Sequence, residues 1–447
     1  MTKLGLLLCY TLASCAWGFL PTFQVEKSRL VPCLASQNKN QEDATLSRRD
    51  LLSATATAAV IALSSPLAAR AASDEATKVE TPLPSVSFGS KWSAADGLNR
   101  LPESKLVGFE MSAYQAMRDD PSRTPLFRQA IIDRLGKDPE SQVVLDMGTG
   151  PFALFAIIAA ECGAGKVYAI EASPEAAAAA RAFVTKTGYD DIITIVEGFS
   201  DEIQLPNNDK VDFVVAEIIG SIASEEGAYA TIKDAHRFVK QPELDSSWIP
   251  SRIQTYAAPA SYTLHNLFGP PTFDWSKLDG EPIRFNCRDR GLGLLSDPVI
   301  VEDIVFSQIG GGSKSQQYKR TKEFTFTVSA DRIKDNYAGF FDEFRKGEKS
   351  SAQDSERYAT LTSHSLSGIA CWPLLTLNEN ILVQSRGLPN GDYRKSHWQT
   401  VLPICASRPI GNLKGGETVK ITTDFQIDNR VIDAPTYSIQ GVVDYSI

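Results

Sequence analysis

At 447 residues, with 43% hydrophobic and 22% charged side chains, the chain has the composition of a globular protein and the length for two ordinary domains. A formal net charge of −9 argues against a protein that coats nucleic acid and suits a cationic partner, although plain solubility also accounts for it. Seven cysteines occur with no Cys-x-x-Cys pair and no Cys/His group of zinc spacing, so no structural metal is expected. Cys162, Cys287, Cys371 and Cys405 read as isolated packing residues, with pairing among them left open.

Residues 1–71 read as a targeting leader. Lys3 precedes an apolar stretch from Leu4 to Trp17, of signal-peptide length and too short to span a membrane. It ends at Gly18-Phe19-Leu20-Pro21, and a segment with several Ser, Gln and Asn follows. Ser47-Arg48-Arg49-Asp50-Leu51-Leu52, an Ala/Leu-rich run and Ala69-Arg70-Ala71 resemble a twin-arginine export signal with its cleavage site. Signal, transit and twin-arginine segments in series resemble the leaders of proteins sent into secondary plastids of algae. That resemblance implies the thylakoid lumen and a mature chain beginning near Ala72. An uncleaved anchor and simple secretion are the alternatives. Residues 1–72 carry seven basic and four acidic side chains, so the rest of the chain is near −12.

Residues 72–110 are polar, contain Pro82 and Pro84, and are expected to form a linker or N-terminal segment. Residues 111–250 then alternate short apolar runs with helical patterns. Val143 to Met147, Lys166 to Glu171, Ile192 to Val196 and Val211 to Ala216 read as buried parallel strands. Phe152 to Cys162 and Pro174 to Lys186 read as helices, the second with proline in its first turn. The expected fold class is α/β, a Rossmann-like doubly wound sheet. Residues 251–447 change character. Apolar β-type runs lie at Ile253–Ala257, Glu323–Val328, Gly368–Leu377, His397–Ile404, Glu417–Ile427 and Pro435–Tyr445. Turns such as Gly310-Gly311-Gly312 and Pro389-Asn390-Gly391-Asp392 separate them, and one helix is expected from Ala330 to Lys346. This pattern predicts a β-barrel or sandwich.

The first strand runs into Asp146-Met147-Gly148-Thr149-Gly150, where glycine lets the backbone turn sharply and approach a ligand closely. Glu171 closes the next strand, about 20 residues on, where a carboxylate can accept hydrogen bonds from both hydroxyls of a ribose. The third glycine of a dinucleotide fingerprint is replaced by Phe152, which disfavours a pyrophosphate and leaves a phosphate-free adenosyl ligand. Glu217 and Glu226 follow the fourth strand, nine positions apart, and Ser396-His397-Trp398 lies far downstream.

Taken together these motifs resemble the protein arginine methyltransferases, in the family's order, from about Tyr114 to the C-terminus. Tyr114 to Thr124 resembles the helix that covers the cofactor. Val144 to Gly150 and Glu171 match the nucleoside site. Glu217 and Glu226 have the spacing of the double-glutamate loop, and Ser396-His397-Trp398 resembles the Thr-His-Trp loop. The resemblance implies a Rossmann-like domain followed by a β-barrel, S-adenosyl-L-methionine as cofactor, an arginine-containing protein as substrate and transfer of methyl to a guanidino nitrogen. It also implies roles. Glu217 and Glu226 grip the guanidinium, whose pKa exceeds ~12 and whose lone pairs are delocalised. Arg123 pairs with the carboxylate of the cofactor's methionine part, Asp201 lies near the adenine, and Met117 packs by the sulfonium. His397 hydrogen bonds to Asp120 and ties barrel to cofactor helix. Members often pair head to tail as a homodimer through an arm, for which residues about 265–325 have room.

Each position also has a packing reading. Glu226 fits an exposed helix start, His397 a core histidine, and Arg123 a surface pair. Tyr114 stands where many members have His, and Ile218 and Ile219 replace the Trp-Met of the asymmetric-dimethylating branch. Mono-, symmetric and asymmetric dimethylation therefore stay open. Two other readings share the fold: a degenerate methyltransferase acting as a binding or assembly protein, and a methyltransferase for a small molecule. A neutral acceptor would leave two buried carboxylates unpaired, which weighs against the latter.

Overall fold

A computed structural model describes residues 83–94, 110–309, 318–346, 351–386, 396–428, 430 and 433–446, all within the contact unit Glu80–Ile447. The expected leader, most of the expected linker, and the turns at Gly310–Gly312 and Pro389–Asp392 lie outside the described residues. Part of the expected linker is a strand. In β1 (Val86–Ser93) burial alternates, with Trp92 buried and Ser87 and Lys91 exposed. It pairs antiparallel along its whole length with the last strand of the chain, Thr436 to Asp444.

Helices α1 (Met111–Arg118) and α2 (Thr124–Leu135) come next. They lead into β2 (Val143–Met147), α3 (Leu154–Glu161), β3 (Lys166–Glu171), α4 (Pro174–Thr187), β4 (Ile193–Glu197), β5 (Phe213–Val215), α5 (Ala228–Ala235) and β6 (Trp248–Ile249). The five strands form one parallel sheet in the order β4-β3-β2-β5-β6. Val144, Leu145, Phe213, Val214 and Val215 have no exposed surface, as expected of strands covered on both faces. The strand order reverses beside β2, which opens a crevice at the carboxyl ends of the strands, where ligands of such sheets bind. Local chemistry sets the helix limits. Ser173 Oγ accepts from Ala176 N at the start of α4, Pro174 fills its first turn, and left-handed Gly188 ends it.

Beyond Pro250 the chain is mainly antiparallel. Strands β7 (Arg252–Tyr262), β8 (Ile283–Asn286), β9 (Leu292–Leu294), β10 (Val299–Val305), β12 (Gly368–Asn378), β13 (Ile381–Gln384) and β14 (Gln399–Leu402) make a seven-stranded sheet. Its spine is β10-β7-β12-β14-β8, with β13 on β12 and β9 on β7. A four-stranded sheet, β1-β16-β15-β11, is built from β1, β11 (Thr321–Thr327), β15 (Thr418–Gln426) and β16 (Thr436–Asp444). The architecture is thus a Rossmann-like α/β sheet followed by a curled antiparallel β-barrel part. After the short α6 (Thr263–Leu267), helix α7 (Ala330–Lys346) has the expected bounds, and a helix not anticipated, α8 (Ala352–Ser363), packs against it. The region reserved for an arm contains β8, β9 and β10 and an intramolecular cluster. There Trp275 is buried, donates to the Phe268 carbonyl at 2.6 Å, and packs edge-on against His265. Cys162, Cys287, Cys371 and Cys405 are free thiols.

Candidate active site

At the carboxyl ends of β2, β3 and β4 lies a cavity of about 190 Å³. Its wall includes Met117, Gly148, Gly150, Glu171, Glu217 and Glu226. Four separate stretches of sequence therefore meet at one place.

The glycine turn makes the floor. Gly148 and Gly150 have φ of +74° and +65°, conformations that cost a side chain dearly. A Cβ at Gly148 would sit 2.5 Å from Ile218 Cγ2. Asp146 is buried beneath the turn, off the cavity wall. It accepts from Ala156 N at 2.9 Å and from Thr149 Oγ1, so it braces the turn against the start of α3. Burial lifts its carboxyl to about 7. Glu171, at the end of β3, accepts from Gly150 N at 2.9 Å and Ser173 N at 2.8 Å. Burial raises its pKa, which these backbone donors oppose. Phe152 also lines the cavity, edge-on to Phe183 and 4.9 Å beneath the Arg118 guanidinium.

After β4 the wall is made by Gly198, Phe199 and Ser200. Asp201, the expected adenine neighbour, is exposed and not on that wall. The three residues that do line it were not singled out from the sequence. Their position just after a parallel strand was the available signal.

Arg123 is not a surface residue. It is 3% exposed, and its Nη1 donates to Glu217 Oε2. Its guanidinium also lies 5.2 Å from the Phe155 ring centre. Glu217 is the first acid of the loop after β5. Burial lifts its carboxyl to about 7, with Arg123 pulling the other way and Asp120 and Asp146 adding to the rise. Glu226 also faces the cavity, two residues before α5. Its sequence neighbour Glu225 does not. That side chain has no exposed surface and is paired with Arg284 of β8.

His397 Nδ1 and Asp120 Oδ2 are 2.8 Å apart, and the His397 amide donates to the same oxygen at 3.0 Å. Ser122 adds donors at 2.8 Å and 2.6 Å. Against the effect of burial, these bonds hold Asp120 well below the usual carboxylate range. Burial lowers His397 to about 4, so its ring is neutral and Nδ1–H is the donor. Neither residue lines the cavity. They join the segment before β14 to the corner between α1 and α2. Trp398 adds a second tie, from Nε1 to the Ile219 carbonyl at 2.8 Å.

Comparison with known proteins agrees with this geometry. Residues 144–242 match the family model described as "Methyltransferase domain". Protein arginine N-methyltransferase PRMT10 of Arabidopsis thaliana is 32% identical over 168 residues, 36% of this chain and 42% of that protein. Histone-arginine methyltransferase CARMER of Anopheles gambiae is 32% identical over 149 residues, 33% of this chain and 23% of that protein. The chain therefore spans less than half the length of these curated relatives. A solved PRMT1 enzyme-prozyme heterotetrameric complex with AdoHcy from Trypanosoma brucei shares the fold, with a TM-score of 0.51 and 20% identity over 74% of this chain and 92% of that one. Residues 144–242 thus match a methyltransferase domain, and about a third of the chain is similar in sequence to protein arginine N-methyltransferases.

Proposed function

We propose that the protein is an S-adenosyl-L-methionine-dependent protein arginine N-methyltransferase. One observation carries this reading: Glu217 and Glu226 face the same cavity as the glycine turn, Glu171 and Met117. The residues present fit the cofactor. The close approach at Gly148 and Gly150 leaves room for a nucleoside, and the Glu171 carboxylate offers acceptors for ribose hydroxyls. Arg123, at the cavity wall, is a cation for the carboxylate of the methionine part. When bound, S-adenosylmethionine supplies an electrophilic methyl on a positively charged sulfur.

The chain's own groups do the rest. Glu217 and Glu226 would bind the guanidinium through charge-assisted hydrogen bonds and draw its positive charge to one side. The opposite nitrogen keeps more electron density and is held in line for attack. The nitrogen would gain the methyl as the methyl–sulfur bond breaks with its electron pair left on sulfur, and would then shed one N–H proton. Glu217, with its carboxyl lifted to about 7, is able to hold that proton. His397 and Asp120 keep the barrel and the cofactor helix in register. A small neutral acceptor would leave the paired carboxylates uncompensated, and an arginine side chain does not.

The leader supports import into a plastid and residence in the thylakoid lumen, with Ala72 near the mature N-terminus. A homodimer, as in the related family, completes the reading. Among the described residues no helix is long and apolar enough to cross a membrane. The test is to incubate the full chain with methyl-labelled cofactor and arginine-rich peptides, then hydrolyse the peptides. Label in methylarginine supports the assignment. No label, where a control enzyme labels the same peptides, refutes it. Terminal sequencing of protein recovered from plastids tests the address.

A further inference from the structure

The two acids Glu225 and Glu226 are adjacent in sequence, yet the fold sends them opposite ways. Glu226 faces the cavity. Glu225 points into the barrel, where Arg284 Nη1 donates to its Oε2 at 3.1 Å and Arg284 Nη2 donates to its Oε1. The side chains are 0% and 10% exposed, so this bidentate pair is shut off from water. Arg284 sits in the middle of β8, with Val401 of β14 opposite it in register.

The pair is one of several bonds from barrel strands to the same turn. Ala223 N donates to Thr255 Oγ1 of β7 at 2.9 Å. Ser224 N donates to Glu302 Oε2 of β10 at 3.3 Å, and Ser224 Oγ meets Tyr437 Oη of β16 at 3.0 Å. Most of these partners reach backbone atoms or a short hydroxyl. Glu225–Arg284 alone among them is a forked ionic contact, which fixes a direction as well as a distance.

We propose that the Glu225–Arg284 pair is a positioning device for Glu226, through which the barrel sets the aim of the second clamp carboxylate. The proposal rests on the arginine-methylation reading. Turning of the backbone at 225–226 would swing the Glu226 carboxylate away from the guanidinium, and the planar fork opposes that turn. An apolar pair of the same size would fill the space without fixing the direction. The pair therefore acts on transfer more than on cofactor affinity, because Glu171 and the glycine turn belong to other segments.

The experiment uses the full chain, with transfer of labelled methyl to an arginine peptide and calorimetry with S-adenosylhomocysteine. Three variants are compared: Glu225→Gln, Arg284→Lys, and the double variant Glu225→Leu/Arg284→Met. The single Gln change strands a buried charge and stands to lose stability. The double change removes both charges, and such replacements of buried pairs are commonly tolerated. Arg284→Lys keeps the charges balanced and removes only the fork. The expected result is a kcat lowered roughly tenfold to a hundredfold in the double variant, with a smaller loss in Arg284→Lys. S-adenosylhomocysteine affinity stays within about twofold of native, since a purely structural role would lower binding and turnover together. Native kcat in the folded double variant and in Arg284→Lys overturns the positioning role and leaves the assigned activity standing. Absence of transfer by the native chain, where a control enzyme labels the peptide, refutes the activity itself and the positioning role with it.

Discussion

Replacing Glu217 with Gln separates the chemistry of the site from its stability. The side chain keeps its size and one acceptor for Arg123, and loses only its charge. Burial raises the native carboxyl from 4.5 to about 7. At 1.36 kcal/mol per pKa unit, holding the ionised form in the fold costs roughly 3 kcal/mol. The folded pKa lies above the unfolded one, so the folded state binds more protons between pH 4.5 and 7. The stability tied to this group is fully present below pH 4.5 and is lost as pH rises through 7. Glu217→Gln carries no such loss. It should therefore be more stable than the native chain by roughly 3 kcal/mol at pH 8, falling to about 1 kcal/mol at pH 5, as read by denaturant unfolding. Transfer to an arginine peptide should fall by about a hundredfold to a thousandfold at pH 8, and by far less at pH 5, where most of the native carboxyl is itself protonated. S-adenosylhomocysteine affinity should change little. Transfer within tenfold of native at pH 8 would refute the clamp. A variant less stable than native at pH 8 would show that the Arg123 pair outweighs the effect of burial.

Three further outcomes follow, two at the cavity and one in the cluster after β7. Gly148→Ala places a methyl 2.5 Å from Ile218 Cγ2 at a positive φ, so S-adenosylhomocysteine should bind at least about tenfold more weakly by calorimetry, each residue in that conformation costing of the order of 1–2 kcal/mol. Glu171→Gln should weaken the same ligand by about tenfold and Asp201→Asn by less than about twofold, because only the first faces the cavity. His265 is buried with Nε2–H on the Ala406 carbonyl and no partner for Nδ1, and burial lowers it from 6.5 to about 4. Its folded pKa lies below the unfolded one, so the unfolded state takes up the proton first. Stability falls as pH drops from 6.5 toward 4, by about 2 kcal/mol at pH 5. His265→Gln should remove that part of the acid slope in unfolding curves.

The parallel sheet was legible because β2, β3 and β5 are buried on both faces and read as short, mainly apolar runs. Helix α7 was legible because Ile333 and Phe340 recur at helical spacing on one buried face. β1 was hidden in polar sequence, since its exposed positions carry Ser87, Gly89 and Lys91 and its partner strand lies at the other end of the chain. α8 was hidden for another reason. Its buried residues are Ser355, Ala359, Thr362 and Ser363, small side chains that allow close packing without an apolar stripe. At the site, the glycine turn and the acid of β3 are local signals and lie where they were expected. Arg123–Glu217 and Glu225–Arg284 are contacts across 94 and 59 positions, which spacing alone does not encode. Between the adjacent Glu225 and Glu226, the nine-position spacing from Glu217 singled out Glu226, and Glu226 is the one that faces the cavity. Ser200 reaches the cavity wall while Asp201 beside it is exposed, a distinction of one position that spacing does not encode.

The clamp itself is tested most directly by a crystal structure of the full chain with S-adenosylhomocysteine and an arginine peptide. The expected density places the peptide's guanidinium between the carboxylates of Glu217 and Glu226, with one nitrogen turned toward the sulfur. A guanidinium bound elsewhere, or the two carboxylates turned away from each other with the cofactor in place, would contradict it.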